Sequence, residues 1–348
     1  MAASPSTLEA TLTRAWLGRG PLACALWPVS LVFRALSALR RALYRTGMKR
    51  AERLPVPVIV VGNIFIGGTG KTPLTIWLAN ALVDAGFKPG IVSRGFGASA
   101  DGTRPVTPQS TALEVGDEPL LIARRTGCPV MVGRARAAAG HALLSAHPHV
   151  DVIIADDGLQ HYALARDIEI MLFDGRGAGN GWLLPAGPLR EAAGRRRDFT
   201  VVNAPELTPA LRAAVGGAPF QMRLEGAMAE RLAAPHERVA LAELRGKRLV
   251  AAAGIGNPQR FFSMLRTAGL EVAELALPDH HDFLDRPFDG VQADAILITE
   301  KDAVKCALLE HLRNDARLWV VPVTAQLDAA LAEQIVNNLE NRRGRSTA

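Results

Sequence analysis

From residue 56 onward the apolar positions fall into short unbroken runs separated by stretches of helical spacing. The runs cover residues 56–61, 90–92, 129–132, 152–155, 168–173 and 199–202, and the helical stretches 72–85, 119–125 and 134–145. Runs this short, with no polar alternation and with helices between them, predict strands buried on both faces of a parallel α/β sheet. A second unit starts near residue 205. It reads as strand (248–253), helix (258–268), three strands (271–277, 295–299 and 318–323) and a closing helix (327–339). Ahead of the first strand, Val32, Leu36, Leu39 and Leu43 are spaced four, three and four apart. They line one face of a helix, with Arg34, Arg41 and Arg45 opposite and Arg40 at the flank.

A length of 348 residues suits two domains better than one core. We divide the chain into an arm (1–53), a first α/β domain (54–204) and a smaller α/β domain (205–348). Hydrophobic residues at 49% and charged residues at 21% exclude a mainly disordered chain. Three cysteines at wide spacing form neither a disulfide framework nor a Cys-based zinc site, which points to a reducing compartment.

The net charge of +6 is concentrated in one place. The first 53 residues carry nine basic and two acidic side chains, and the remainder is close to neutral. A nucleic-acid-binding body would carry that charge along a groove in the fold, so no nucleic-acid partner is expected. A basic arm on a neutral body fits a surface of anionic lipid instead. The uncharged stretch 21–33 is shorter than the roughly 20 residues that span a bilayer, so the arm is expected to lie along the surface. Packing of the leucine face on the protein's own core remains the alternative.

The strongest local signal is the run from Gly62 to Thr72, which contains Gly67, Gly68, Thr69, Gly70, Lys71 and Thr72 between a strand and a helix. Glycines there let backbone N–H groups wrap phosphates, and the helix N-terminus adds partial positive charge. Lys71 would reach the β- and γ-phosphates, and the Thr72 hydroxyl would face Mg²⁺. The plainer reading is a glycine-rich turn with a surface lysine. The core resembles the variant loop of partitioning and metal-insertion ATPases, but Ile66 stands where that loop has a lysine. Asp156 and Asp157 end a buried strand, where nucleoside triphosphatases hold Mg²⁺; an ordinary acidic strand exit is the alternative.

Taken together, several segments make the chain resemble the lipid A (tetraacyldisaccharide) 4′-kinase family. They are Gly62–Thr72, Ser93–Gly97, Gly116–Pro119, Asp156–His161, Leu184–Glu191, Gly254–Pro258, Pro278–His281 and Thr299–Lys305. The resemblance implies a P-loop-type parallel sheet, a smaller α/β domain joined by a hinge with two strands, and a membrane-docking N-terminal helix. It also implies ATP and Mg²⁺ as cofactors, an acylated glucosamine disaccharide 1-phosphate as the acceptor, and lipid IVA as the product. The place of action would be the cytoplasmic face of the bacterial inner membrane, with no obligate protein partner.

In that family an aspartate and a histidine at the positions of Asp117 and His280 activate the sugar hydroxyl. The residues alone also allow Asp117 to be a helix cap and His280 a solvated loop histidine. Arg190 reads as a phosphate clamp or as a surface arginine paired with Glu191. Arg94 is a weaker clamp candidate, and residues 195–197 read as a solvated basic run. Gly254-Ile255-Gly256 lacks the third glycine of a dinucleotide turn, and Thr299–Asp302 reads as a strand-to-helix cap. The competing function is a nucleotide switch, an ATPase or GTPase that acts by binding a partner.

Overall fold

A computed structural model describes residues 7–95 and 102–346. Phe96 and Gly97 of the Ser93–Gly97 segment lie outside the described residues, as do the first six residues of the arm and the last two of the chain. Two helices come first, α1 (Thr7–Ala15) and α2 (Pro21–Arg45). A large lobe follows: β1 (Val58–Asn63), α3 (Lys71–Asp84), β2 (Pro89–Ser93), β3 (Thr103–Pro105), α4 (Ala112–Val115), α5 (Asp117–Thr126), β4 (Val130–Gly133), α6 (Arg136–Ala146), β5 (Val152–Asp156), β6 (Ile168–Asp174), β7 (Phe199–Asn203), α7 (Pro209–Val215) and β8 (Phe220–Glu225). The small lobe holds β9 (Met228–Arg231), β10 (Arg238–Ala240), β11 (Leu249–Ala253), α8 (Pro258–Thr267), β12 (Val272–Ala276), β13 (Ala295–Thr299), α9 (Glu300–Cys306), α10 (Glu310–Arg313) and β14 (Leu318–Val321). The chain then returns to the large lobe through β15 (Thr324–Leu327) and α11 (Ala329–Ser346).

The large sheet has nine strands in the order β15-β8-β7-β6-β1-β5-β2-β4-β3, and its middle is parallel. Strand β1 is buried along its whole length because both faces are covered. Val58 and Val60 join a core with Ile64, Leu159, Met171 and Phe173, while Ile59 and Val61 face Leu74, Leu78, Ile170 and Leu172. The period of two in a strand sends alternate valines and isoleucines to opposite cores. Because β1 lies between β5 and β6, the crevice at the carboxyl ends of these strands falls where connections diverge to opposite sides.

The small sheet, β10-β9-β14-β13-β11-β12, repeats the pattern around a parallel β13-β11 centre. The chain crosses between lobes twice, at Gly226-Ala227 and at Pro322-Val323. The sheets therefore do not divide at residue 205. Helix α7, strands β8 and β15 and helix α11 all belong to the large lobe, where Met222, Ala325, Leu331, Ile335 and Leu339 are part of the same core as Ile59.

Helix α2 is 25 residues long and includes Pro28 in its interior. By length and composition it is apolar enough to cross a membrane. Its orientation separates the two readings of the leucine face. Ala23 and Ser30 are buried against the large lobe, and the Ser30 hydroxyl donates to the Leu183 carbonyl at 2.7 Å. Val32, Leu36 and Leu39 point the other way and are about 60% exposed (60%, 61% and 57%). Phe33 packs on the large-lobe core and Tyr44 meets Tyr162, so the intramolecular contact lies on another face, while Val32, Leu36 and Leu39 stay exposed and Leu43 is half-buried.

Candidate functional site

The loop after β1 is organised by Asn63. Its Nδ2 donates to the Phe65 carbonyl (2.9 Å), the Gly67 carbonyl (3.3 Å) and the Thr69 hydroxyl (2.9 Å), and its Oδ1 accepts from Lys71 Nζ at 3.3 Å. One buried amide therefore holds both the loop backbone and the lysine. Gly67 and Gly70 have φ values of 91° and 99°, a region open to glycine at no steric cost. At Gly70 a methyl group would also press on Asn203 Nδ2 at 2.5 Å, and that nitrogen donates to the Thr69 carbonyl. Helix α3 begins at Lys71, so its free N–H groups open toward the loop.

Asp156 and Asp157 end β5 beside this loop, but in different settings. Asp156 is buried and accepts hydrogen bonds from the Thr75 and Ser93 hydroxyls at 3.0 and 3.2 Å. Burial first, then Glu118 and Asp157, push its pKa up to about 7. Asp157, at φ 48°, lies 3.7 Å from Lys71 Nζ and 3.8 Å from an Arg190 nitrogen. Its Oδ1 is buried with no hydrogen bond. A buried carboxylate oxygen that accepts no hydrogen bond, beside a glycine-rich loop, fits a hard divalent cation that takes its other ligands from phosphate and water. Among the described residues no group of three or more His, Cys, Asp and Glu could hold a metal by itself.

Arg190 turns to Asp157 and not to Glu191, because Glu191 is already engaged by Tyr162, Gln160 and Arg195. Of the run 195–197, Arg196 is exposed as expected, but its two neighbours turn inward. Arg195 bridges Glu169 and Glu191, and Arg197 donates to the carbonyls of Ala193, Arg195, Val215 and Gly216. These arginines close the long loop between β6 and β7, and that need for donors draws them inward. Arg94 is exposed at the rim of the cavity.

Asp117 opens α5 and serves two partners. Its Oδ1 accepts from the Glu118 backbone N–H at 2.9 Å, and its Oδ2 lies 3.0 Å from His280 Nδ1. The cap position itself is Gly116, so Asp117 is the first residue of the helix and not its cap, and the paired reading describes it. His280 comes from the small lobe, in the segment after β12, at φ 60°. Burial tends to raise the Asp117 pKa, but His280, Lys301 and Lys305 outweigh it and hold the carboxyl below its ordinary value. The adjacent histidines do not converge on one point, since His281 Nε2 turns to Asp285 at 3.3 Å.

The sequence had pointed to Thr299–Asp302 only as a cap. That cap is present, with the Thr299 hydroxyl accepting from the Asp302 N–H at 3.2 Å. It also aims Lys301 into the site. Lys301 Nζ lies 3.1 Å from Glu118, 3.4 Å from Asp279 and 3.4 Å from His280 Nε2. Those neighbouring carboxylates raise the Lys301 pKa in spite of burial. Lys305, four residues on, places its ammonium 3.7 Å from Asp117. Asn63, Glu118, Lys301 and Lys305 escaped the sequence reading. A lysine pair at i, i+4 on a short helix was the one available signal.

Gly67–Thr72, Arg94, Asp117, Asp156, Asp157, Arg190 and His280 line one cavity of about 550 Å³ between the lobes. The small lobe closes it directly onto the phosphate loop. A methyl group on Gly256 would lie 2.6 Å from the Gly68 backbone nitrogen, so only glycine permits this approach. The Gly254–Pro258 segment, rejected as a dinucleotide turn, is the small lobe's contact with the loop.

Comparison with known proteins gives one consistent result. A family model described as tetraacyldisaccharide-1-P 4′-kinase (LpxK) matches residues 22–340. The chain is 62% identical to the tetraacyldisaccharide 4′-kinase of Janthinobacterium sp. (strain Marseille), with all of both chains covered. It is 62% identical to that of Herminiimonas arsenicoxydans, covering 100% of this chain and 99% of the relative. Among solved structures it resembles LpxK from Aquifex aeolicus, crystallised in complex with ATP. The TM-score is 0.74 at 30% identity, covering 91% of this chain and 99% of the other. The chain belongs to the tetraacyldisaccharide-1-P 4′-kinase family.

Proposed function

We propose that this protein transfers the γ-phosphoryl group of ATP to the 4′-hydroxyl of a tetraacylated glucosamine disaccharide 1-phosphate, giving the lipid A precursor lipid IVA. The observation that carries the reading is the shared cavity: the phosphate loop on one wall, Asp117 and His280 on another, and Arg190 and Lys301 between them. Family membership supplies the acceptor.

The loop N–H groups and Lys71 receive the triphosphate tail, and Arg190 adds a cation able to clamp phosphate. Thr72, Asp157 and, behind them, Asp156 are the residues that would hold Mg²⁺, which when bound neutralises charge on the β- and γ-oxygens. The acceptor oxygen forms its bond to the γ-phosphorus while the bridging oxygen–phosphorus bond breaks, and ADP leaves with the bonding pair. The hydroxyl proton passes to the Asp117–His280 pair and on to water. Lys301 and Lys305 keep Asp117 ionised and so able to accept a hydrogen bond. Because Asp117 comes from one lobe and His280 from the other, the pair is complete only when the lobes meet.

Helix α2 presents Trp27, Val29, Val32, Leu36 and Leu39 outward, with arginines at its flanks. We read it as lying in the headgroup layer on the cytoplasmic face of the inner membrane, where an acylated acceptor is carried. A nucleotide switch acting through a partner leaves the Asp117–His280 pair without a use.

The test is incubation of the purified protein with γ-labelled ATP, Mg²⁺ and a panel of alcohols, sugars and acylated disaccharides in detergent. Label should enter the acylated disaccharide 1-phosphate alone. Free nucleotide hydrolysis with no labelled lipid would defeat the reading.

A further inference from the structure

We propose that Arg260 of the small lobe is a triphosphate-contacting arginine, delivered to the phosphate loop by lobe closure and held on Asp174 until nucleotide arrives. This rests on the kinase reading and extends it to a residue with no role so far.

Arg260 lies in the first turn of α8, directly after the Gly254–Pro258 segment that packs on the loop. Its Nη2 donates to Asp174 Oδ2 at 2.9 Å, the one side-chain hydrogen bond it makes among the described residues. Its Nη1 faces the loop, where a methyl group built on Gly70 would lie 3.5 Å away. Asp174 ends β6, is 1% exposed, and is already satisfied from its own lobe. Arg176 grips it through Nε (3.1 Å to each oxygen) and Nη2 (2.7 Å), and Arg176 is itself fixed over the Phe65 ring at 4.1 Å.

Two guanidiniums therefore share one carboxylate. Arg176 is anchored by geometry and by its ring contact, which leaves Arg260 as the surplus cation. That surplus positive charge lies in the cavity wall next to a loop built for a polyanion. Burial lowers the Arg260 pKa and Arg176 adds to the effect, so a second anion nearby would relieve both costs. A guanidinium offers five donors in a planar fork, and here four of them remain for phosphate oxygens.

The arrangement also has a consequence for timing. The small lobe carries both Arg260 and His280, so a single closure brings the phosphate-contacting arginine and the acceptor-side histidine into place together. Arginines supplied this way to a transferring phosphoryl group are worth on the order of 10³-fold or more in turnover.

The experiment compares full-length wild type, Arg260→Met and Arg260→Lys by calorimetric titration with a non-hydrolysable ATP analogue and with ADP, both with Mg²⁺. Lipid phosphorylation is measured in parallel. Contact with the terminal phosphate predicts that Arg260→Met weakens the triphosphate at least tenfold and ADP less than threefold, with Arg260→Lys in between. Equal losses for both nucleotides, or no loss for either, would make Arg260 a strut between lobes and overturn the proposal. Should Arg260→Met fold poorly, the ratio of the two affinities in Arg260→Lys decides alone. Failure of the kinase reading would appear separately, as wild-type protein that binds ATP and phosphorylates no lipid.

Discussion

Gly256 is the most informative single position for the relation between the lobes. Its α-carbon lies beside Gly68, and an added methyl group would meet the Gly68 backbone nitrogen at 2.6 Å and Asp279 Oδ2 at 3.0 Å. Real methyl contacts of this kind sit near 3.4 Å or beyond. The first obstacle is backbone and cannot rotate aside, so Gly256→Ala must either push the small lobe away or distort the phosphate loop. Overpacking on this scale costs about 1–3 kcal/mol. The backbone at Gly256 is not among the positive-φ glycines, so the cost is purely one of contact. The cost falls on the closed arrangement, because the atoms nearest this methyl group belong to Gly68 of the other lobe and to Asp279. Thermal unfolding of nucleotide-free protein should therefore change little. Binding of an ATP analogue should weaken by about 5- to 150-fold, the equivalent of that energy range, and lipid phosphorylation should fall at least as far. Calorimetric titration and the labelled-lipid assay measure both. If Gly256→Ala binds nucleotide and turns over lipid like the wild type, the lobes do not work in the arrangement described here.

Asp117→Asn and His280→Gln should each lower kcat by about 10²- to 10⁴-fold, and the double variant should be no worse than the poorer single one, since a pair acting as a unit is non-additive. Additive losses would separate their roles. The lowered Asp117 pKa has a pH signature. A carboxyl depressed in the folded state contributes stability above its unfolded pKa, near 3.8, and loses it as pH falls through the lower folded value. Asp117→Asn should thus flatten the acid limb of the melting-temperature profile below about pH 4, and an unchanged limb would count against the ion pairs around it. Asp157→Asn should raise the Mg²⁺ concentration needed for half-maximal activity at least tenfold, and chelation should stop transfer in the wild type. Leu36→Glu with Leu39→Glu should release the protein from anionic vesicles while shifting stability by no more than about 0.5 kcal/mol, because both side chains are exposed; retention on vesicles would assign membrane contact elsewhere.

The sequence was most readable where one local rule sufficed. Strands β1, β2, β4, β5, β6 and β7 and helices α3 and α6 match their apolar patterns to within a few residues, since parallel strands buried on both faces leave few polar positions to confuse the reading. Strands β3, β8, β9, β10 and β15 were missed. Their burial is mixed or half exposed, and they take shape from pairing at the edges and crossings of the sheets. That is why the division at 205 misplaced the lobe boundary.

The same split holds at the cavity. The Gly67–Thr72 loop and Asp156-Asp157 carry contiguous signals. Asn63 precedes the glycines by four residues and looks like any strand exit, although its amide braces the loop. Lys301 and Arg260 sit in helices whose local pattern is ordinary, and their charge acquires meaning only when the small lobe folds back across residues 63–70. Arg195 and Arg197 failed in the opposite direction, because nothing local shows that Glu169, Glu191 and four carbonyls await those side chains.

The central claim is that triphosphate and acceptor meet in one cavity, with Lys71 on the first and the Asp117–His280 pair on the second. A crystal structure with a non-hydrolysable ATP analogue and the acylated disaccharide 1-phosphate tests it directly. The account predicts phosphates on the Gly67–Thr72 loop and the 4′-hydroxyl about 2.6–3.2 Å from Asp117 or His280. An analogue bound away from Lys71, or an acceptor hydroxyl facing neither side chain, would contradict it.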